Sequence, residues 1–402
     1  MVIMKKSNYI SIKDNVTGFS FANLGIFTGF GGGLVATVYS LVLLDILGSG
    51  AMVGLYSSIY NVFGFLVALF FGEFMRIISK SKLFYSSLLS VAIIFFMMGF
   101  DILPRTFITL DFFSLIPMTF IATLIPLFLA EFAGKNGIAN LNGRYILWLN
   151  VGWLFAPVIA MMIADLAGLR SVFIFASFVY FLALFIFKRY GIIEIDKKIP
   201  KVTPKKTIRS ICRETNSYFS NKAYARAYIV NFGFFALRTL RALYVPIVVF
   251  EAGFSKDTLG LILTIGIIPY IILAEPVGRL AKKYGQYMTN GGMAFGFIIY
   301  AICSFLAYFV GGSLMLCLFV IWQIPGAIKE ALHDLVFFDV AKGNDKTRFF
   351  GIFNTSKNLP RIFTPLVATL FILMFGSTNA VWLLSGIIAC ASTVALLYKK
   401  YN

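Results

Sequence analysis

Histidine and acidic residues are what this chain of 402 residues most lacks. His333 is its only histidine, so no set of imidazoles can hold a metal. The four cysteines, Cys212, Cys303, Cys317 and Cys390, show neither a Cys-x-x-Cys pair nor a metal-like spacing, and imply no disulfide framework. Asp and Glu number 17 against 35 Lys and Arg, and charged residues of both signs make up only 13% of the chain. That is too little polar surface for a soluble domain of this length, so the chain belongs in a membrane. No Gly-x-x-x-x-Gly-Lys-Ser/Thr loop is present, which excludes ATP as a driver. The run Gly29–Gly33 follows no strand and reads as close helix packing instead. No constellation of paired carboxylates or histidines supports a membrane enzyme. No catalytic residue, metal or cofactor is expected. The first residues, MVIMKKSNYISIKDN, lack the pattern of a cleavable signal.

What remains is hydrophobic: 59% of the residues, with 45 phenylalanines among them. Apolar runs recur at about 20 residues, the length of a helix across a bilayer, without the alternation of a membrane barrel. Twelve spans are expected, near 19–44, 53–72, 83–101, 106–130, 145–165, 171–187, 227–252, 259–276, 288–310, 313–338, 349–375 and 380–398. The fold class is therefore an all-α membrane protein. Residues 1–187 form one six-helix bundle, 188–226 a hydrophilic linker with a surface helix from Ile208, and 227–402 a second bundle.

The distribution of Lys and Arg sets the topology. With both termini cytoplasmic, 27 of the 35 fall in inner segments and only Arg105, Arg170 and Lys256 in outer ones. Basic residues spread over short loops follow membrane topology rather than a nucleic-acid surface, so no nucleic-acid partner is expected. Five cations remain within the spans of the second half: Arg238, Arg241, Lys329, Lys357 and Arg361.

The halves are related. Pro117 and Pro325, Pro157 and Pro365, and Glu131 and Asp339 all stand 208 residues apart, which points to two parallel repeats. After the eighth span, GRLAKKYGQY from Gly278 resembles the G-x-L-A-D-R-x-G-R motif of the major facilitator superfamily; after the second, GEFMRIISKSK from Gly72 is a degraded copy. GRYILWLNVGWLFAP and TRFFGIFNTSKNLPRIFTP resemble that family's segments ending in a Gly/Ala-Pro turn. The resemblance covers nearly the whole chain. It implies two six-helix bundles rocking about a cavity lined largely by spans one, four, seven and ten. A multi-pass protein of the cell membrane working by alternating access is expected, a symporter or antiporter, with facilitated diffusion also open. It does not name a substrate. The family's acidic fifth position is Arg76 in the first copy and Lys282 in the second. An inverted gate follows as an expectation, with Glu131 facing Arg76 or Arg144, and Asp339 facing Lys282 or Arg348. Ordinary interface charges are the equal alternative.

A charge at the bilayer centre costs at least ~2.5–3.5 kcal/mol unless it faces protein or water. Counted from Arg348, Lys357 lies roughly 14 Å and Arg361 roughly 20 Å along the eleventh span, near the middle of the core. Asn354, Lys357, Asn358 and Arg361 share one helical face, beside a carbonyl that Pro360 frees to open the helix. In the seventh span Asn231, Arg238 and Arg241 share a face. In the tenth, Gln323, Glu330 and Asp334 form a stripe, with Lys329 about 100° away. The expected substrate site is Arg238, Arg241, Lys357 and Arg361, with Asn231, Asn354 and Asn358 as neutral donors to a small anionic or acid-bearing solute. Glu330 is the candidate proton carrier. The competing reading is that the cations pair with Glu330, Asp334 or Asp111 and only lock the bundle. Tyr39, Tyr56, Tyr60, Asn61, Trp148, Asn150 and Trp153 offer an aromatic wall in the first half, or plain helix packing. An exporter of amphipathic drugs or lipids is the alternative function. The expected partners are the solute and membrane lipids, for a monomer.

Overall fold

The computed structural model describes residues 19–100, 103–132, 134–190, 204–341 and 345–397. These form fifteen helices and no strand: α1 (Phe19–Leu47), α2 (Gly50–Ile77), α3 (Lys80–Met98), α4 (Pro104–Phe132), α5 (Gly134–Ala167), α6 (Ser171–Tyr190), α7 (Pro204–Ser220), α8 (Lys222–Glu251), α9 (Lys256–Tyr284), α10 (Gln286–Phe309), α11 (Gly312–Ile321), α12 (Gln323–Leu332), α13 (Leu335–Phe338), α14 (Asp345–Phe375) and α15 (Ala380–Leu397). Among the described residues there are twelve spans long and apolar enough to cross a membrane, at the positions the sequence predicts. Helices are what lipid demands, because every backbone N–H and C=O must find its partner inside the segment. The outward faces carry exposed Phe70, Phe178, Phe185, Leu373 and Met374, as a lipid-facing surface should.

Two departures from expectation concern proline. The tenth span is not one helix but α11, α12 and α13. Pro325 has no N–H for the carbonyl of Ile321, and the helix breaks there, resuming with the Gly326 N–H to Trp322 O bond of 3.1 Å. The eleventh span behaves oppositely. α14 runs unbroken through Pro360 and Pro365, so Pro360 does not open it. Between the spans, α7 starts at Pro204, a residue suited to a first helical turn, rather than at Ile208. It docks through the buried Tyr218, whose ring packs 5.4 Å from Tyr224 and 5.6 Å from Phe349. Residues 191–203 of the expected linker lie outside the described residues.

The chain divides into two compact units. One holds the described residues of Met1–Val35, Leu66–Ala156 and Leu166–Ile199. Here α3 packs on α4 and α6 through rings: Phe84 lies 5.5 Å from Phe128 and 4.5 Å from Phe187, and Phe95 lies 5.8 Å from Phe173. Gly29 and Gly152 bring α1 and α5 into backbone contact. A methyl group at Gly29 would strike the Leu149 carbonyl and one at Gly152 the Ile26 carbonyl, so the glycine run is indeed a packing seam. The other unit holds the described residues of Ala36–Phe65, Pro157–Asp165 and Pro200–Asn402. In it α8 packs on α14 and α15, α10 on α12 and α15, and α9 on α12. Its centre is an aromatic cluster in which Tyr300 stacks on Trp322 at 5.1 Å and Trp382 tilts against Trp322 at 5.0 Å.

Candidate functional site

The second unit collects all five cations of its spans on α8, α12 and α14. Arg238 donates from Nη1 to both carboxylate oxygens of Glu330, at 2.7 and 2.8 Å, and nearly half of its side chain stays exposed. One turn on, Arg241 donates from Nη1 to Tyr270 Oη and to Gln323 Oε1, and its guanidinium lies 5.3 Å from the Tyr270 ring centre. Its Nη2 and Nε have no partner among the described residues.

Lys357 on α14 sits 2.8 Å from Asp334 Oδ1, and His333 Nδ1 approaches the same oxygen at 3.2 Å. His333 is itself buried, stacked 5.1 Å from the Phe234 ring. The stripe Gln323, Glu330, Asp334 therefore faces α8 and α14, as its spacing predicts. Lys329, off that stripe, turns toward α10. Its ammonium rests 4.3 Å from the Tyr300 ring centre and 4.5 Å from that of Phe297, and Nζ has no hydrogen-bond partner among the described residues.

Arg361 is exposed, within reach of the Arg238 charge, and has no ion-pair or hydrogen-bond partner among the described residues. Asn354 and the exposed Asn358 likewise make no side-chain hydrogen bond there. Two expected donors are occupied instead. Asn231 is fully buried and donates to Ser356 Oγ at 2.7 Å, which binds α8 to α14. Lys357 is neutralised by Asp334. The outcome is a division of labour: two cations pair with carboxylates, and Arg241, Lys329 and Arg361 form no ion pair among the described residues. A recess in this unit is lined by Arg238, Arg241, Tyr270, Tyr300, Lys329 and Glu330. Tyr270, Tyr300 and Lys329 were not singled out for the site by sequence, because which way a side chain points depends on helix rotation.

The expected gate is only partly within view. Arg76, Glu131 and Arg144 have side chains outside the described residues. Asp339 and Lys282 are exposed, and no ion pair joins Asp339 to Lys282 or Arg348 among the described residues. Arg348 lies instead 3.9 Å from Glu214 on α7, which lies against α14 through Tyr218 and Phe349. Of the aromatic wall, Tyr39 and Tyr56 flank Tyr60, with ring centres 6.3 and 6.1 Å away. Asn61 donates to its own helix at Ser57 O, Trp148 is exposed, Asn150 and Trp153 are half-buried, and Trp153 packs against Gly33.

The model of the family described as Major Facilitator Superfamily matches residues 21–328 and 227–401. Among curated proteins no match is found. Solved structures share the fold at low identity. A POT family transporter in complex with thioalcohol conjugated peptide gives a TM-score of 0.77 at 11% identity, covering 94% of this chain and 95% of that one. The nucleoside transporter NupG gives 0.71 at 15%, covering 95% and 99%. The peptide transporter POT in complex with sulfate gives 0.73 at 13%, covering 94% and 92%. At such identities the likeness speaks for the fold alone.

Proposed function

Since the chain belongs to the major facilitator superfamily, we propose that it is a secondary transporter that carries a small anionic or acid-bearing solute across the cell membrane by alternating access. The family and the similar structures are transporters. The charge of the solute is read from the site. The observation that carries it is the surplus of cations in the second unit: Arg241, Lys329 and Arg361 form no ion pair among the described residues. Cations at this depth are costly unless they face protein, water or a counter-ion, and an anionic solute supplies the last. Arg241 has an edge of its guanidinium to spare, and Arg361 its whole head. Arg238, tethered to Glu330 through one nitrogen only, offers Nη2 and Nε. These three arginines bind the acid group, with Asn354 and Asn358 as neutral donors, while Lys357 and Asn231 brace the helices.

Glu330 is the coupling group in this reading. Protonating it releases Arg238 to the solute, which links proton uptake to anion binding. The bodies that move are the six-helix halves 1–187 and 227–402, with both termini cytoplasmic as the 27-to-3 distribution of basic residues directs. A thermostability screen of the detergent-purified protein tests the reading, because a ligand of the folded state raises its melting point. Small organic anions should stabilise it and lipophilic cations should not. Stabilisation by lipophilic cations alone would favour an exporter of amphipathic compounds instead.

A further inference from the structure

The helix α7, Pro204–Ser220, takes no part in the site described above. It is amphipathic by its spacing. At about 100° per residue, Ile208, Ile211, Cys212, Thr215, Tyr218 and Phe219 fall within one stripe about 120° wide. Protein covers one edge of that stripe. Tyr218 there is buried against Tyr224 and Phe349, and Glu214, just beyond it, stands 3.9 Å from Arg348. At the other edge Cys212 and Phe219 are exposed, Phe219 by 43%.

The cations of α7 are gathered rather than spread around it. Lys205, Lys206, Arg209 and Arg213 occupy helix positions within one sector about 100° wide, which adjoins the exposed edge. The only acid of α7, Glu214, lies on the opposite flank. The rule that keeps basic residues on one side of a membrane acts on their number in a loop, and does not place them on one flank of a helix. Their position along the helix points the same way. Lys205 and Lys206 stand in the first turn, which holds no acid. The dipole and the free N–H groups of that turn already favour an anion, so two cations added there call for one nearby.

An apolar edge beside a basic flank fits a bilayer leaflet with negative headgroups. The edge reaches the acyl boundary, and the long Lys and Arg chains reach the phosphates. The position of α7 suits that partner, because one residue, Asn221, separates its end from α8, a membrane span. A soluble acidic protein would use the cations and leave Phe219 in water.

We propose that this flank of α7 binds anionic phospholipid headgroups of the adjoining leaflet, with Lys205, Lys206, Arg209 and Arg213 meeting the phosphates and Cys212 and Phe219 facing the acyl boundary. Because α7 rests on α14 through Tyr218 and Glu214, the bound lipid steadies the end of the helix that carries Arg361. Nothing in this depends on the charge of the transported solute.

Cys212 places a probe at the edge in question. The full-length chain, with Cys303, Cys317 and Cys390 replaced by Ala, is labelled at Cys212 with a fluorophore and reconstituted in phosphatidylcholine vesicles. A tenth of the lipid is then exchanged for acyl-brominated phosphatidylglycerol or acyl-brominated phosphatidylcholine, whose bromines quench only at close range. The glycerol lipid should quench at least about threefold more, since each cation near the surface enriches it several-fold. Raising NaCl from 0.1 M to 1 M shortens the screening length from about 10 Å to about 3 Å and should bring the two lipids together. Replacing Lys205, Lys206, Arg209 and Arg213 by Gln should do the same. Replacing Lys82, Lys188, Arg189 and Lys283 by Gln, which removes as much charge from the ends of α3, α6 and α9, should leave the preference in place. The proposal is overturned by equal quenching from the two lipids, by no quenching from either, or by a preference that high salt leaves intact. These three outcomes are read on the unaltered basic flank, so they hold whether or not the variants fold. It is also overturned if the α7 variant keeps the preference, or if both variants lose it.

Discussion

Arg238 meets Glu330 through a single nitrogen, Nη1, which stands 2.7 Å from Oε1 and 2.8 Å from Oε2. A fork-to-fork pair would use two nitrogens and consume one edge of the guanidinium. The arrangement here leaves that edge free, on a side chain that is nearly half exposed. An ion pair so placed is a switchable tether rather than a weld, because the guanidinium keeps a free edge with which to change partners.

Glu330→Gln should therefore fold normally, bind the anion at least as tightly as the unaltered protein, and lose the dependence of uptake on pH. Measuring uptake in liposomes from pH 5.5 to 8 checks this. A variant that keeps the original pH profile would remove Glu330 from the coupling step.

Arg241 and Gln323 should behave as one unit, because the glutamine oxygen and the Tyr270 hydroxyl both take donors from Nη1 and fix the direction of the free edge. Gln323→Leu should weaken solute affinity by about fivefold to tenfold while leaving the maximal rate of transport within about twofold. A change in rate with unaltered affinity would contradict a positioning role.

Asn231 gives the reverse pattern. Its bond to Ser356 joins two helices away from the open face. Asn231→Ala should cost about 0.6 kcal/mol and at most ~1.7 kcal/mol of stability, the range for such bonds between membrane helices. Solute affinity should stay within about twofold. A tenfold loss of affinity would return Asn231 to the binding site.

Gly152→Val should disrupt the seam of α1 and α5, since even a methyl group there meets the backbone at Ile26 and Phe30. Overpacking of this kind costs about 1–3 kcal/mol. The melting point of the purified variant should fall, and Gly278→Val, where nothing lies within 4 Å, serves as its control.

The twelve spans were legible because apolar length and loop charge are one-dimensional properties. The five cations were legible for the same reason: Lys357 and Arg361 stand out in grease wherever the helix happens to face. What each cation meets was not. Lys329 looks toward Phe297 and Tyr300, and Asn231 toward Ser356, because helix rotation and neighbour choice decide those contacts. Proline showed the same limit. Pro325 and Pro360 remove the same kind of bond, yet α11 ends before the first and α14 continues through the second. The approach of Arg348 to Glu214 was equally out of reach, since Glu214 comes from a linker helix whose docking depends on Tyr218.

Uptake of a stabilising anion into liposomes containing the purified protein tests the central claim most directly, comparing the unaltered chain with Arg238→Ala and Arg361→Ala. The account predicts saturable uptake by the first and its loss in both variants, each still folded by its melting curve. Normal saturable uptake by both variants would contradict it.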